Sequence, residues 1–212
     1  MNIQMELLDN YASIRAAFVN KFLPASYMDA ANESACSRFM WDYMPKSDYP
    51  SVSFAVALNL LRSCSGDVIF MSEESTYLIG RNNTQFVAKA NAESLSDLIE
   101  FEWMENARLF AEERYLADAI LPEDLYVFTP EMDRMLVFTH ETSNYEAELN
   151  EDYLEQAQSR VCIAYGFGQQ YAKAVRKSGR LFVYILALMV EIRISPATTR
   201  SSAAKPSAKL SE

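Results

Sequence analysis

The chain has 212 residues, of which half are hydrophobic and 12% are aromatic, and this is enough for one domain with a full core. Its formal net charge of −10 excludes a free-standing nucleic-acid-binding protein, because phosphate contacts need clustered Lys and Arg. The three cysteines, Cys36, Cys64 and Cys162, lack paired spacing, so neither a disulfide framework nor a zinc site follows.

The N-terminal quarter predicts two helices separated by an aromatic segment. Residues 4–23 carry apolar side chains at roughly helical spacing, and Pro24 ends this predicted helix. Residues 39–44 are rich in aromatic side chains and methionine. We expect them to pack on the core, with a contact to a partner protein as the alternative, since Trp and Tyr are common at interfaces. Residues 54–64 predict a mostly buried helix, and Gly66 suits the turn that follows it.

Short apolar runs after this turn predict strands. Residues 68–71 and 76–79 are both apolar and bounded by turn residues, and residues 86–88 indicate a third short strand. The intervening residues 81–83 are polar and predict a loop. These runs indicate the first half of a sheet.

The longest helix signal covers residues 94–117. Apolar residues recur on one face of this stretch, and acidic residues occupy much of the opposite surface. Ser94 and Asp97 have the spacing of a capping pair, in which each side chain meets an unpaired backbone donor. The stretch therefore predicts an amphipathic helix with an acidic outer face.

Two apolar runs, residues 125–128 and 135–139, predict a β-hairpin. The connection has about six residues, and Pro130 fits the second position of a type I turn. Neither run alternates cleanly with polar residues, which is typical of strands covered on both faces. We therefore expect this hairpin at the centre of the sheet.

The C-terminal part changes in character after residues 161–165, which predict a last strand. Residues 1–167 contain 11 basic and 27 acidic residues, a net charge of −16, whereas residues 168–212 contain 8 basic and 2 acidic residues, a net charge of +6. The sequence thus predicts an acidic domain and a basic extension. Within the extension, the apolar segment 181–190 is shorter than the roughly 20 residues that span a membrane, and residues 195–212 have the composition of a disordered end.

These elements together predict an α+β domain, in which amphipathic helices pack on a mostly antiparallel sheet with a central hairpin. The sheet is expected to contain the strands near 68–71, 76–79, 125–128, 135–139 and 161–165. The first residues are acidic and do not predict a signal peptide, so a cytoplasmic location is expected.

Catalytic signals are sparse. The one histidine, His140, lies at the end of a predicted strand and is the candidate general base, for which a cysteine is a conceivable nucleophilic partner. Neither GxGxxG nor GxxxxGK[ST] occurs, and one histidine among scattered carboxylates predicts no metal and no cofactor. Adjacent acids, such as Glu73-Glu74 and Glu123-Asp124, are typical of exposed turns that keep a chain soluble.

The acidity of the domain predicts attraction to basic partners and faster encounter with them. Solubility alone is the alternative explanation of this charge. Candidate contacts for a basic partner were chosen for expected exposure. They are Glu100, Glu105, Glu112, Glu131, Asp133, Glu148, Glu151 and Asp152.

Residues 97–103, 125–128 and 136–141 read Asp-Leu-Ile-Glu-Phe-Glu-Trp, Leu-Tyr-Val-Phe and Leu-Val-Phe-Thr-His-Glu. In its order of elements, a helix followed by a hairpin ending in Thr-His-Glu, the chain resembles small bacterial α/β proteins, some of which are immunity proteins of polymorphic toxin systems. The resemblance covers roughly residues 55–167 and carries over no individual functional residue. It implies a non-enzymatic protein that binds a basic toxin. The net charge argues against nucleic acid as a partner, and the short apolar segment 181–190 argues against a membrane. The alternatives are a small hydrolase or transferase that uses His140, and a structural or regulatory module.

Overall fold

The structure is a computed structural model, which describes residues 3–27, 39–73, 76–78, 81–111, 121–122, 124–143, 153–171 and 174. The chain divides into two units, Met1–Ser178 and Gly179–Glu212, and every described residue belongs to the first unit. The predicted apolar segment 181–190 and the predicted disordered end lie outside the described residues. The domain boundary after residue 167 stays a prediction.

Helices and strands alternate irregularly along the chain. The β-strands are β1 (Met5–Leu7), β2 (Ser51–Ser53), β3 (Asp67–Ser72), β4 (Thr76–Leu78), β5 (Arg81–Thr84), β6 (Val87–Asn91), β7 (Leu125–Phe128), β8 (Met135–Thr142) and β9 (Arg160–Tyr165). The helices with defined bounds are α1 (Tyr11–Phe22), a 3-10 helix (Met40–Tyr43), α2 (Phe54–Arg62), α3 (Ala92–Ala111) and α4 (Tyr153–Ser159).

The main sheet of the described residues is antiparallel and has seven strands in the order β1-β6-β3-β7-β8-β9-β2. The predicted hairpin, β7 and β8, lies at its centre, with Leu125 opposite Phe138 and Phe128 opposite Met135. The α+β fold and the central hairpin are thus confirmed. The hairpin loop, residues 129–134, has the predicted length.

Both faces of the hairpin are buried, as the absence of alternation indicated. Leu125 and Val127 pack in one apolar cluster with side chains of α2 and α3. Tyr126 and Phe128 pack in a second cluster, on which α1 places Phe18. Strands of a sheet present alternate residues to opposite faces, so four consecutive buried residues require cover on both sides.

Strand β4 corrects the predicted sheet. It pairs with β5 in a separate two-stranded sheet, and residues 81–83, predicted as a loop, lie within β5. Both hydrogen-bonding edges of β3 are already occupied, by β6 on one side and β7 on the other. The next run along the chain therefore has no place beside β3.

The N-terminal helix was predicted too long. Residues 5–7 form strand β1, in which Met5 pairs with Ala90, and helix α1 starts only at Tyr11. Three extended residues carry too little pattern to be separated from a helix by spacing, and the pairing partner lies more than 80 residues away. The predicted end is confirmed, because Leu23 has an extended backbone before Pro24.

Helix α3 begins at Ala92, two residues before the predicted start. The side-chain oxygen of Asn91 accepts hydrogen bonds from the backbone N–H groups of Glu93 and Ser94, at 3.1 and 3.3 Å. Asn91 therefore caps the helix, and the predicted pair of Ser94 and Asp97 does not. The predicted helix end at residue 117 lies outside the described residues.

Candidate functional site

His140 is held by a buried carboxylate. Asp124, which directly precedes β7, has a side chain that is only 6% exposed. One of its oxygens accepts a hydrogen bond from the His140 backbone N–H at 3.0 Å, and the other lies 2.8 Å from Nδ1 of the imidazole. A carboxylate accepts hydrogen bonds, so Nδ1 carries the proton and, in the neutral ring, Nε2 carries the free lone pair. The ring is 34% exposed.

A register shift in β8 sets the direction of this ring. Phe138 pairs with Cys162 and Thr142 pairs with Arg160, so four steps along β8 match only two along β9. Extra residues of this kind bend a strand and re-aim its side chains. At this irregularity His140 contacts Phe39 and Trp41, with ring centroids 4.9 and 5.8 Å away.

The segment that carries these two aromatic rings is fastened by Glu73. The Glu73 carboxylate accepts from the backbone N–H of Met40, with its two oxygens at 2.9 and 3.0 Å. The hydroxyl of Tyr126 donates to the same carboxylate and accepts from the backbone N–H of Trp41 at 3.3 Å. These bonds satisfy donors at the start of the 3-10 helix and fix it on the sheet.

Burial gives these groups shifted acidities. Desolvation raises the pKa of Glu73, and the hydrogen bonds from Tyr126 and Met40 lower that pKa in part. Burial also raises the pKa of Tyr126 well above 10, and the neighbouring Glu73 carboxylate adds to that rise. Tyr126 is therefore a neutral hydroxyl that can donate to Glu73.

The described cysteines are poorly placed to act with His140. The thiol of Cys162 is fully buried, and burial raises its pKa to about 12. Cys64 lies beside Arg134 at the hairpin loop, at the opposite end of β8 from His140, and burial raises its pKa as well. Cys36 lies outside the described residues. The imidazole thus has an orienting carboxylate but no cysteine nucleophile among the described residues.

A cavity of about 10 Å³, with room for about one water molecule, also lies at the hairpin-loop end, where Leu61, Cys64, Phe128 and Arg134 are among its lining residues. Pockets that hold small-molecule ligands usually measure about 300–1,000 Å³. The size and place of this cavity give no support to a substrate pocket around His140.

The candidate acids on α3 are paired within the fold. Arg62 of α2 donates to Glu100 at 2.5 Å and to Asp97 at 2.9 Å. Arg108 donates to Glu105, one turn earlier on the same helix, at 2.6 Å. The four candidates Glu112, Glu148, Glu151 and Asp152 lie outside the described residues.

The other two candidates, Glu131 and Asp133, project from the hairpin loop and are exposed. Thr129 closes this loop with two backbone hydrogen bonds. Its N–H donates to the carbonyl of Arg134 at 3.1 Å, and its carbonyl accepts from the N–H of Met132 at 2.8 Å. The Thr129 hydroxyl also donates to the Asp133 carboxylate at 2.5 Å. The loop therefore presents both carboxylates on a braced backbone.

Sequence patterns missed the side chains that hold His140 and the aromatic segment. Glu73 and Asp124 were both interpreted as acids of exposed turns, whereas Asp124 is buried and Glu73 is largely buried. The signal that was available is their position, because each lies next to a predicted strand. Their partners lie 16 to 53 residues away in the chain, a distance at which local patterns carry no information.

Comparison with known proteins gave no family model, curated protein or solved structure that matches this chain. Among the described residues, no group of three or more His, Cys, Asp or Glu side chains is placed to hold a metal ion. Within the same part of the chain, no helix has the length and apolar character needed to cross a membrane.

Proposed function

We propose that this chain is a non-enzymatic binding protein of the bacterial cytoplasm, which neutralises a basic toxin through its acidic surface in the manner of an immunity protein. The net charge of −16 over residues 1–167 supports the proposal, because such a field attracts basic proteins and accelerates their encounter.

The observation that carries the proposal is the contrast between the two sets of described candidate acids. Glu100 and Glu105 are neutralised by arginines of the same fold. Glu131 forms no ion pair among the described residues, and Asp133 approaches a cation only at 4.0 Å, from Arg134. Both carboxylates project from a loop whose backbone is held by hydrogen bonds, so the loop itself loses little conformational freedom on binding, and this favours affinity for a cationic partner.

The test uses the product of the neighbouring gene as the partner. The first measurement is the growth of cells that express this partner. Co-expression of this chain should restore growth, and the purified pair should bind more weakly at high salt. Glu131→Gln with Asp133→Asn should weaken binding about tenfold, equivalent to about 1.4 kcal/mol.

The matched control is Glu93→Gln with Asp48→Asn, which removes the same charge from two exposed positions outside the hairpin loop. This control should bind nearly as well as the unchanged chain. Equal weakening by both double variants would show that net charge alone acts. Salt-independent binding, or no growth rescue, would contradict the proposed inhibition.

The pairing of His140 with Asp124 favours a second candidate function, hydrolysis or group transfer with Nε2 as general base. A panel of uncharged chromogenic esters tests it. If the chain is such an enzyme, His140→Ala and Asp124→Asn should each lower turnover about a hundredfold or more. Turnover that is absent, or unchanged in both variants, would remove this candidate.

A further inference from the structure

We propose that Nε2 of His140 and the carboxylate of Glu141 together bind the guanidinium group of an arginine on the basic partner. The inference rests on the proposed function and names a second contact surface, at the end of the sheet opposite to the hairpin loop. It starts from two acceptor atoms that, among the described residues, have no donor between them.

The two acceptors lie side by side at the surface. Nε2 of His140 is 3.9 Å from Oε1 of Glu141, whose side chain is 55% exposed. Asp124 holds the ring proton on Nδ1, so the neutral ring directs a lone pair, and no proton, from Nε2. A donor with two N–H groups can lie between the two atoms and satisfy both at ordinary hydrogen-bond distances.

The position of the imidazole does not depend on the ligand. Asp124 holds both the ring and the backbone N–H of His140, and the edges of the Phe39 and Trp41 rings limit its rotation. A receptor that is already rigid avoids the entropy cost of ordering on binding. Of the acceptor pair, only the Glu141 side chain has to become ordered when the ligand binds.

The surroundings of the pair favour a flat cation. Phe39 and Trp41 are partly exposed and stack nearly parallel, with 5.8 Å between ring centroids and an angle of 6° between ring planes. Guanidinium groups pack on aromatic rings and present N–H donors in one plane, whereas an ammonium is a compact and strongly hydrated charge. Arginine should therefore bind better than lysine.

Charge excludes the opposite class of ligand. Asp42 is exposed beside Trp41, Glu141 is exposed beside His140, and Asp124 and Glu73 lie behind them. A phosphate or carboxylate ligand would be repelled by these acids, at a cost that rises as water is excluded. The acidity that argues for a basic partner thus applies locally as well.

The single histidine makes the test direct, because ¹⁵N-labelled histidine gives NMR signals from one ring only. In the neutral ring of the free chain, Nδ1 should carry the proton and Nε2 should not. A capped tri-arginine peptide should then shift the Nε2 signal saturably, and should bind about threefold more tightly than capped tri-lysine.

Two variants separate this site from general charge attraction. Glu141→Gln should weaken tri-arginine binding about tenfold, whereas Glu93→Gln, which removes one exposed charge from α3, should leave it nearly unchanged. Equal affinities for the two peptides, or equal effects of the two variants, would each overturn the inference.

Its failure can be told apart from failure of the proposed function. If the toxin binds the Glu141→Gln variant as well as the unchanged chain, while Glu131→Gln with Asp133→Asn weakens binding, the hairpin loop is the contact and the guanidinium site is wrong. If no basic protein binds the unchanged chain, both proposals fail together.

Discussion

Replacing Gly166 with alanine is expected to lower the free energy of unfolding by about 4 kcal/mol or more. An added Cβ would lie 2.0 Å from the carbonyl oxygen of Asp133, a distance at which the backbone of the hairpin loop has to move. Gly166 also has a φ of +83°, a left-handed conformation that costs an L-residue about 1–2 kcal/mol. The clash displaces the loop that presents Asp133, so binding of the basic partner should fall as well.

Gly66→Ala is the matched control for this substitution. Gly66 has nearly the same backbone angle, a φ of +87°, but nothing lies within 4 Å of the position of an added Cβ. Its loss of stability should therefore be about 1–2 kcal/mol, from backbone conformation alone. Chemical denaturation of the two variants measures the difference, and equal losses would show that the close approach of Gly166 to Asp133 is not a structural constraint.

The hairpin was predictable because its signals are local and mutually consistent. The runs 125–128 and 135–139 are apolar and β-branched or aromatic, and Pro130 stands where the turn needs its fixed φ. The Met132 N–H bonds back to the Thr129 carbonyl across this turn. Burial of both faces also followed from sequence, because a run without polar alternation has no face for solvent.

The edges of the sheet were not predictable in the same way. Strands β1 and β2 have three residues each, and they are strands because β6 and β9 offer them free backbone groups. Such strands take their structure from a partner, whereas their own sequence has no period to measure. The interpretation of residues 4–23 as one helix was wrong for this reason.

In the candidate site, too, the features that depend on local sequence were predictable, and those that depend on distant residues were not. The exposure of Glu131 and Asp133 follows from their place in a turn, so this part of the surface could be predicted from the local sequence. The internal pairing of Glu100 with Arg62 could not, because it joins positions 38 residues apart on two helices. The hydrogen bonds between Asp124 and His140 were not predicted for the same reason, since a carboxylate beside a strand can face either solvent or a neighbouring strand.

Glu73 should make the stability of the protein depend on pH in a way that Glu73→Gln removes. Burial raises the pKa of Glu73 above its ordinary value of 4.5, so between that value and the raised one the folded chain binds more protons than the unfolded chain. The free energy of unfolding therefore falls as pH rises through this window, and the contribution is fully present below it. The variant has no carboxyl group to titrate there, so its free energy of unfolding should rise relative to that of the unchanged chain as pH rises.

Chemical denaturation of both proteins from about pH 4 to about pH 8 measures this difference. The control is Glu93→Gln, which removes an equal charge from an exposed position, and its stability should run parallel to that of the unchanged chain. A Glu73→Gln profile that also runs parallel would show that burial does not perturb this carboxyl group.

Tyr126→Phe should move the same window upward. The hydroxyl of Tyr126 donates to Glu73 and thereby lowers the pKa of Glu73, so its loss lets burial raise that pKa further. The substitution also leaves the Trp41 backbone N–H without its acceptor, which should lower the free energy of unfolding by about 1–3 kcal/mol. Because the aromatic segment then loses one of its two attachments, the contact of Trp41 with His140 should loosen, and the His140 ring signals should shift even without a ligand. Unchanged ring signals together with an unchanged pH profile would mean that Glu73 alone holds the 3-10 helix.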